Sequence, residues 1–401
     1  MRKLYILTFF NLIILIANSN YIYPTKRNLD GDFSDLSIYL DLFNFNDTFP
    51  SDKFGNTKDI FINAMEEAKN ILETIFLISP ESNPDAGLEI DAAVYKEFMG
   101  ISLWDDNIFI DEGTLSVAEY NIFIIFKFAD LNNVDMFSKI AITYSNNMPI
   151  IGLVTINNNI AISKLNSGYL TTLFLQQFIK ILWFQITFTP IGPSKFYGSI
   201  EVEIGEIVKK YDEVTGEELE LGIEDLTVHK ASIKKENVIN YAKKYFACPS
   251  IEEIKLELDE YNNVYWPSRL FLGDIMTKFD NYEEKFISHF TLALLEDTGY
   301  LQVKKEFAYT GGLMRFGKHK GCEFLSGNCA PDDSHNSITF SNEFYLPSDT
   351  TKFPEPSCSS SRLGKTVYIL HPVGENDIPG SGYEKNGYTG LAQTNYCPIA
   401  E

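Results

Sequence analysis

TLFLQQFIKILWF, residues 172–184, is an apolar run of helix length interrupted by Gln176, Gln177 and Lys180. Gln176 and Lys180 stand one helical turn apart and share a face, with Gln177 beside them. An isolated polar group inside an apolar helix is costly, so two amides and an ammonium within one turn mark a network or a former site. The pattern predicts a buried helix over 170–184 and raises the question of what its polar corner once did.

The segments before it are strand-like. Residues 117–129 and 137–163 read as strands, with SKIAITY and IIGLVTINNNIAIS rich in β-branched residues and bounded by Asn-rich turns. Further upstream, residues 57–77 place Ile60, Ile62, Met65, Ala68, Ile71, Leu72 and Ile75 at helical spacing. Strands leading into a buried helix make this half α+β. Residues 185–262 change character, with a loop-like TPIGPSKFYG, an acidic stretch and a short helix at 236–247. In a third region, ISHFTLALLEDTGYLQV reads as a helix with Ser288 as N-cap and Gly299 just past its end. From Thr310 onward Gly, Pro, Ser and Cys predominate.

Composition narrows the function classes. Apolar residues make up 45% and aromatics 14%, which excludes general disorder. The net charge of −22 comes without a basic patch, so no nucleic-acid partner is expected. The opening MRKLYILTFFNLIILIANSN has Arg2 and Lys3, an apolar stretch from Leu4 to Ile16, and Ala17-Asn18-Ser19 as a cleavage site. A signal peptide over 1–19 and a secreted or surface location are expected. An uncleaved anchor is the alternative, disfavoured because the run is short for a membrane span. No lipid-anchor tail precedes Glu401, so membrane attachment is not evident. Asn46-Asp47-Thr48 is a glycosylation sequon. Five cysteines remain, at 248, 322, 329, 358 and 397, and Cys322 with Cys329 is a candidate local bridge.

Five segments, in order, resemble the leishmanolysin-type zinc metalloproteases of the metzincin group. They are MPIIGLVTIN (148–157), AKKYFACPSIEEIKLE (242–257), YWPSRLFLGDIMT (265–277), FISHFTLALLEDTGY (286–300) and GLMRFGKHKGCEFL (312–325). The resemblance implies a metzincin-like N-terminal domain at 20–189, a central insert at 190–264 and a disulfide-containing C-terminal domain at 265–401. In the family the helix after the first segment reads H-E-x-x-H-x-x-G. Its two His bind zinc from one helix face, and its Glu activates the zinc-bound water. Carried over, the ligand positions are Gln176 and Lys180, the general-base position is Gln177 and the turn glycine is Trp183. The third ligand falls at Tyr265, and only Met276 of the Met-turn matches.

A neutral amide is a poor zinc ligand beside imidazole, a protonated Lys repels a dication, and Gln177 cannot take a proton from water. No zinc is therefore expected, and no other cofactor. His229, His289, His319, His335 and His371 include no pair one helical turn apart, and a substitute ligand set from His319 and His335 is disfavoured. The polar corner is either drift after catalysis was lost or a replacement, with the Lys180 ammonium where the metal's charge lay, bonded to Gln176 and Tyr265. Three functions stay open. They are a secreted pseudoprotease that binds a protein or peptide, for instance by β-addition along MPIIGLVTIN, an active zinc endopeptidase with other ligands, and a non-enzymatic surface or adhesion protein.

Overall fold

The computed structural model describes residues 33–79, 89–91, 114–116, 121–131, 134–143, 148–161, 164–182, 200–207, 226–259, 263–278, 285–307 and 314–326, with short strands between 356 and 389. The leader, Trp183 and Cys329 lie outside the described residues. The chain sorts into two compact units, Met1–Trp183 with Thr298–Lys304, and Phe184–Asp297 with Lys305–Glu401. In chain order the first contains β1 (Ser34–Asp35), β2 (Ile38–Leu40), α1 (Leu42–Thr48), α2 (Ser51–Phe54), α3 (Lys58–Ile75) and β3 (Phe76–Ile78). It continues with β4 (Glu89–Asp91), β5 (Thr114–Ser116), β6 (Ile122–Ala129), β7 (Met136–Thr143), β8 (Pro149–Asn157) and α4 (Ser167–Ile181). The second contains β9 (Ile200–Ile207), β10 (Leu226–Ile233), α5 (Glu236–Phe246), β11 (Ile254–Leu258), β12 (Val264–Tyr265) and α6 (His289–Glu296). The chain then returns to the first unit as β13 (Leu301–Val303) and to the second as α7 (Cys322–Ser326). The chain is α+β, as expected from its sequence.

The first unit is organised by a four-stranded sheet in the order β2-β6-β8-β7. β2, β6 and β8 run parallel, and β7 is antiparallel to β8. Every position of β8 is buried, the pattern of a strand covered on both faces, which explains its unbroken apolar run. MPIIGLVTIN is therefore no edge: β6 takes one side and β7 the other. The edge positions belong to β2 and β7 among the described residues. A second sheet, β1-β3-β13, is antiparallel. Helix α3 buries Phe61, Ala64, Met65, Ala68, Leu72 and Ile75. Ile60, Ile62 and Ile71, expected on that face, are only half-buried. The true stripe runs through Phe61, and the aromatic ring rather than its β-branched neighbours sets the rotation.

Helix α4 begins at Ser167, three residues earlier than predicted, because the Asn166 side chain caps it and accepts the Tyr169 N–H at 2.9 Å. Its Phe174 and Phe178 join Phe61 and Phe126 in one aromatic core. Where α4 passes the sheet, Gly152 of β8 faces Ile181. A Cβ on residue 152 would meet Ile181 Cδ1, Cγ2 and Cγ1 at 2.5, 2.6 and 2.8 Å. The glycine is what lets helix and strand approach this closely.

In the second unit β12, β11, β10 and β9 form an antiparallel sheet. Helix α5 buries Val238, Ile239, Ala242, Tyr245 and Phe246, then stops at Ala247, which takes a left-handed φ of 55°. Trp266 stacks on Phe271 at 4.9 Å, and Phe271 meets Phe290 edge-on at 4.7 Å. The cysteine pairing differs from the expected one. Cys322 bonds Cys248, 74 residues away, rather than Cys329. The C-terminal turn of α5 and the start of α7 are brought together by the Gly321 N–H donating to the Phe246 carbonyl at 2.7 Å. Proximity in sequence loses to proximity in the fold.

Gly152→Ala is expected to destabilise the chain by about 1–3 kcal/mol through overpacking against Ile181. Chemical denaturation of the variant beside the wild type measures this, and a neutral effect would show that α4 can move away at no cost.

Candidate functional site

Four contacts fix α4. Thr171 Oγ1 donates to Glu67 of α3 at 2.8 Å, and Ser138 Oγ of β7 donates to the Gln177 carbonyl at 3.3 Å. The Tyr300 hydroxyl, carried by the returning segment, donates to the Leu182 carbonyl at 2.7 Å. Ile181 over Gly152 makes the fourth. On the helix so held, Gln177 and Lys180 are each 1% exposed, while Gln176 is half-buried. The Gln177 amide oxygen meets no hydrogen-bond partner among the described residues. An orphaned buried acceptor costs roughly 1–3 kcal/mol, which normally selects against it.

Tyr265 and Met276 lie in the second unit. The Tyr265 hydroxyl donates to Asp259 Oδ2 at 3.0 Å, and Asp259 also accepts from the Asn263 main-chain N–H at 2.9 Å and side chain at 2.8 Å. The phenol closes the β11–β12 hairpin. Met276 is fully buried at a tight turn in which the Trp266 N–H donates to the Met276 carbonyl at 2.9 Å. Asp274, absent from the sequence reading, organises that turn. Its carboxylate accepts from the Met276 N–H at 2.6 Å, the Ser288 N–H at 3.1 Å and the Thr291 hydroxyl at 2.9 Å. Thr291 in turn accepts from the Trp266 indole N–H at 2.9 Å. Burial pushes the Asp274 carboxyl up from its ordinary range, and these donors oppose the shift.

A second carboxylate was also missed. Glu257 of β11 accepts from the Ser268 N–H at 3.1 Å. Burial pushes it up to about 7, against the pull of Ser268, Lys278 and Arg269. Arg269 in turn donates to the carbonyls of Phe324 and Leu325 in α7 at 3.1 and 2.8 Å. These partners sit far apart in sequence, so no local pattern signals them. Among the described residues no three His, Cys, Asp or Glu side chains converge as a metal-binding group.

The sequence is similar to that of a known family. Residues 198–370 match the family model for leishmanolysin. The chain is 32% identical over 179 residues to a leishmanolysin-like peptidase of Caenorhabditis elegans, covering 40% of this chain and 26% of that protein. It is 25% identical over 179 residues to the counterpart in Caenorhabditis briggsae, with the same coverage. The matches support a metalloprotease-like protein. Over this stretch the chain is similar to the leishmanolysin family. It spans about a quarter of the length of these relatives. Tyr265 and Met276 fall within the matched stretch, and α4 falls before it.

Asp274→Ala strands the Met276 and Ser288 N–H donors and the Thr291 hydroxyl, and a loss of about 3 kcal/mol or more is expected in thermal denaturation. Glu257 carries a pH signature. Its folded pKa lies above the ordinary 4.5, so between about 4.5 and 7 the folded chain holds a proton that the unfolded chain has shed. Stability contributed by this group is therefore lost as pH rises through that window. Glu257→Gln should flatten this part of the stability profile, and an unchanged slope would remove Glu257 as its source.

Proposed function

We propose that this chain is an exported pseudoprotease of the leishmanolysin family, a metalloprotease-like scaffold that binds a protein or peptide ligand without cutting it. The observation that carries the reading is the polar content of α4. This helix follows β8 as the family's catalytic helix follows its strand, and Lys180 and Gln177, which the resemblance aligns with the second ligand and the general base, are buried in it. By the resemblance, Gln176 and Tyr265 correspond in sequence to the other two ligand positions. These four side chains do not fit zinc. An amide oxygen is a weak donor, an ammonium repels the ion, and the Tyr265 hydroxyl is already donating to Asp259. No step through a metal is derived for them.

Edge strand β7 supports a binding role, since an extended peptide can pair with its outer side by main-chain hydrogen bonds. Export follows from the leader sequence. No helix among the described residues is long and apolar enough to cross a membrane.

The purified chain should bind no stoichiometric zinc and show no chelator-sensitive cleavage of denatured protein. The combined variant Gln176→His, Gln177→Glu, Lys180→His and Tyr265→His should gain zinc, with Trp183→Gly added to free the turn. Loss of a general base alone lowers rates by about 10²–10⁴-fold, so the Gln177→Glu reversion decides whether any regained metal supports cleavage. One equivalent of zinc with chelator-sensitive proteolysis in the unaltered chain would overturn the proposal.

A further inference from the structure

Asn46-Asp47-Thr48 is the single Asn-x-Ser/Thr sequence with a residue other than proline in the middle, in a chain with many asparagines. All three residues are exposed on α1. The other side of that helix is fixed: Phe45 is fully buried against Phe49, Phe61, Phe126 and Phe128. Lys58 stands over the Phe49 ring at 5.5 Å and donates to the main-chain carbonyl of Asn46 at 3.0 Å. The contact made by Asn46 is thus through its backbone, and α1 is a short helix on an aromatic pedestal with Asn46, Asp47 and Thr48 exposed.

We infer that Asn46 carries an N-linked glycan in the native, exported protein. In the transfer, Asn46 Nδ2 forms a bond to C1 of an oligosaccharide held on a lipid pyrophosphate. The C1–O bond breaks, the lipid pyrophosphate leaves, and the amide proton passes to a base of the transferase. Seven residues of isolated helix have no stability of their own, so the segment is open to the transferase before the aromatic core closes beneath it. After folding, the sugar stands in water, where its bulk disturbs no packing. This face of the first unit is then covered by carbohydrate and serves as no protein contact surface. The inference uses the leader sequence and is independent of whether α4 can hold zinc.

The test expresses the full chain with its leader in eukaryotic secretory cells and treats the product with peptide N-glycosidase. A downward mobility shift is expected, with Asn46 converted to Asp and located by tandem mass spectrometry on the unaltered protein. Asn46→Gln and Thr48→Ala should abolish the shift, and Thr48→Ser should retain it. An unshifted wild type overturns the inference, as does a shift that survives Asn46→Gln or an intracellular, unglycosylated product.

Discussion

The approach of Ile181 to Gly152 is the constraint on which the first unit depends. It sets how near α4 lies to the central strand, and so which turn of the helix is taken out of water. Phe174 and Phe178 enter the aromatic core because the helix is that close, and Gln177 and Lys180 go into the interior as a consequence of the same placement. The helix cannot rotate to expose them without withdrawing the two rings. A buried ring of this size stabilises by a few kcal/mol, comparable to the penalty for one orphaned acceptor, so the polar corner persists as a tolerated burden on a well-packed helix.

Two buried carboxylates of the second unit behave differently. Asp274 is enclosed but surrounded by donors from two stretches of chain, and the result is a pinned turn under Trp266 and Met276. Glu257 has Ser268 to donate to it, yet burial outweighs this help and its charge is disfavoured near neutrality. Asp274 is a fixture of the architecture, whereas Glu257 is a group whose protonation follows the medium.

Legibility in the sequence tracked the range of the interactions. The strand nature of β8, the amphipathic α5 and the Ser288 cap of α6 depend on spacing and neighbours a few residues away, and they are where the sequence puts them. The rotation of α3 was misjudged because β-branched residues mimic a buried face, while the decision was made by Phe61 contacting rings from distant segments. The Cys248 partner of Cys322 was invisible for the same reason, as were the donors collected by Asp274. At the polar corner, residue types were readable and burial was not. Lys180 on a helix surface would be ordinary, and only the packing makes it notable.

The return of residues 298–304 to the first unit has a consequence for the order in which a ribosome delivers this protein. Strand β3 pairs on one side with β1, made just before it, and on the other with β13, made more than two hundred residues later. At roughly 5–20 residues per second, β3 waits on the order of 10 seconds or longer with one edge open. The Leu182 carbonyl waits for Tyr300 over the same interval. The first unit therefore cannot finish as an early-folding N-terminal module. Its completion is tied to synthesis of most of the second, and nascent chains stalled before residue 303 would present an unpaired strand edge to whatever folding helpers stand nearby.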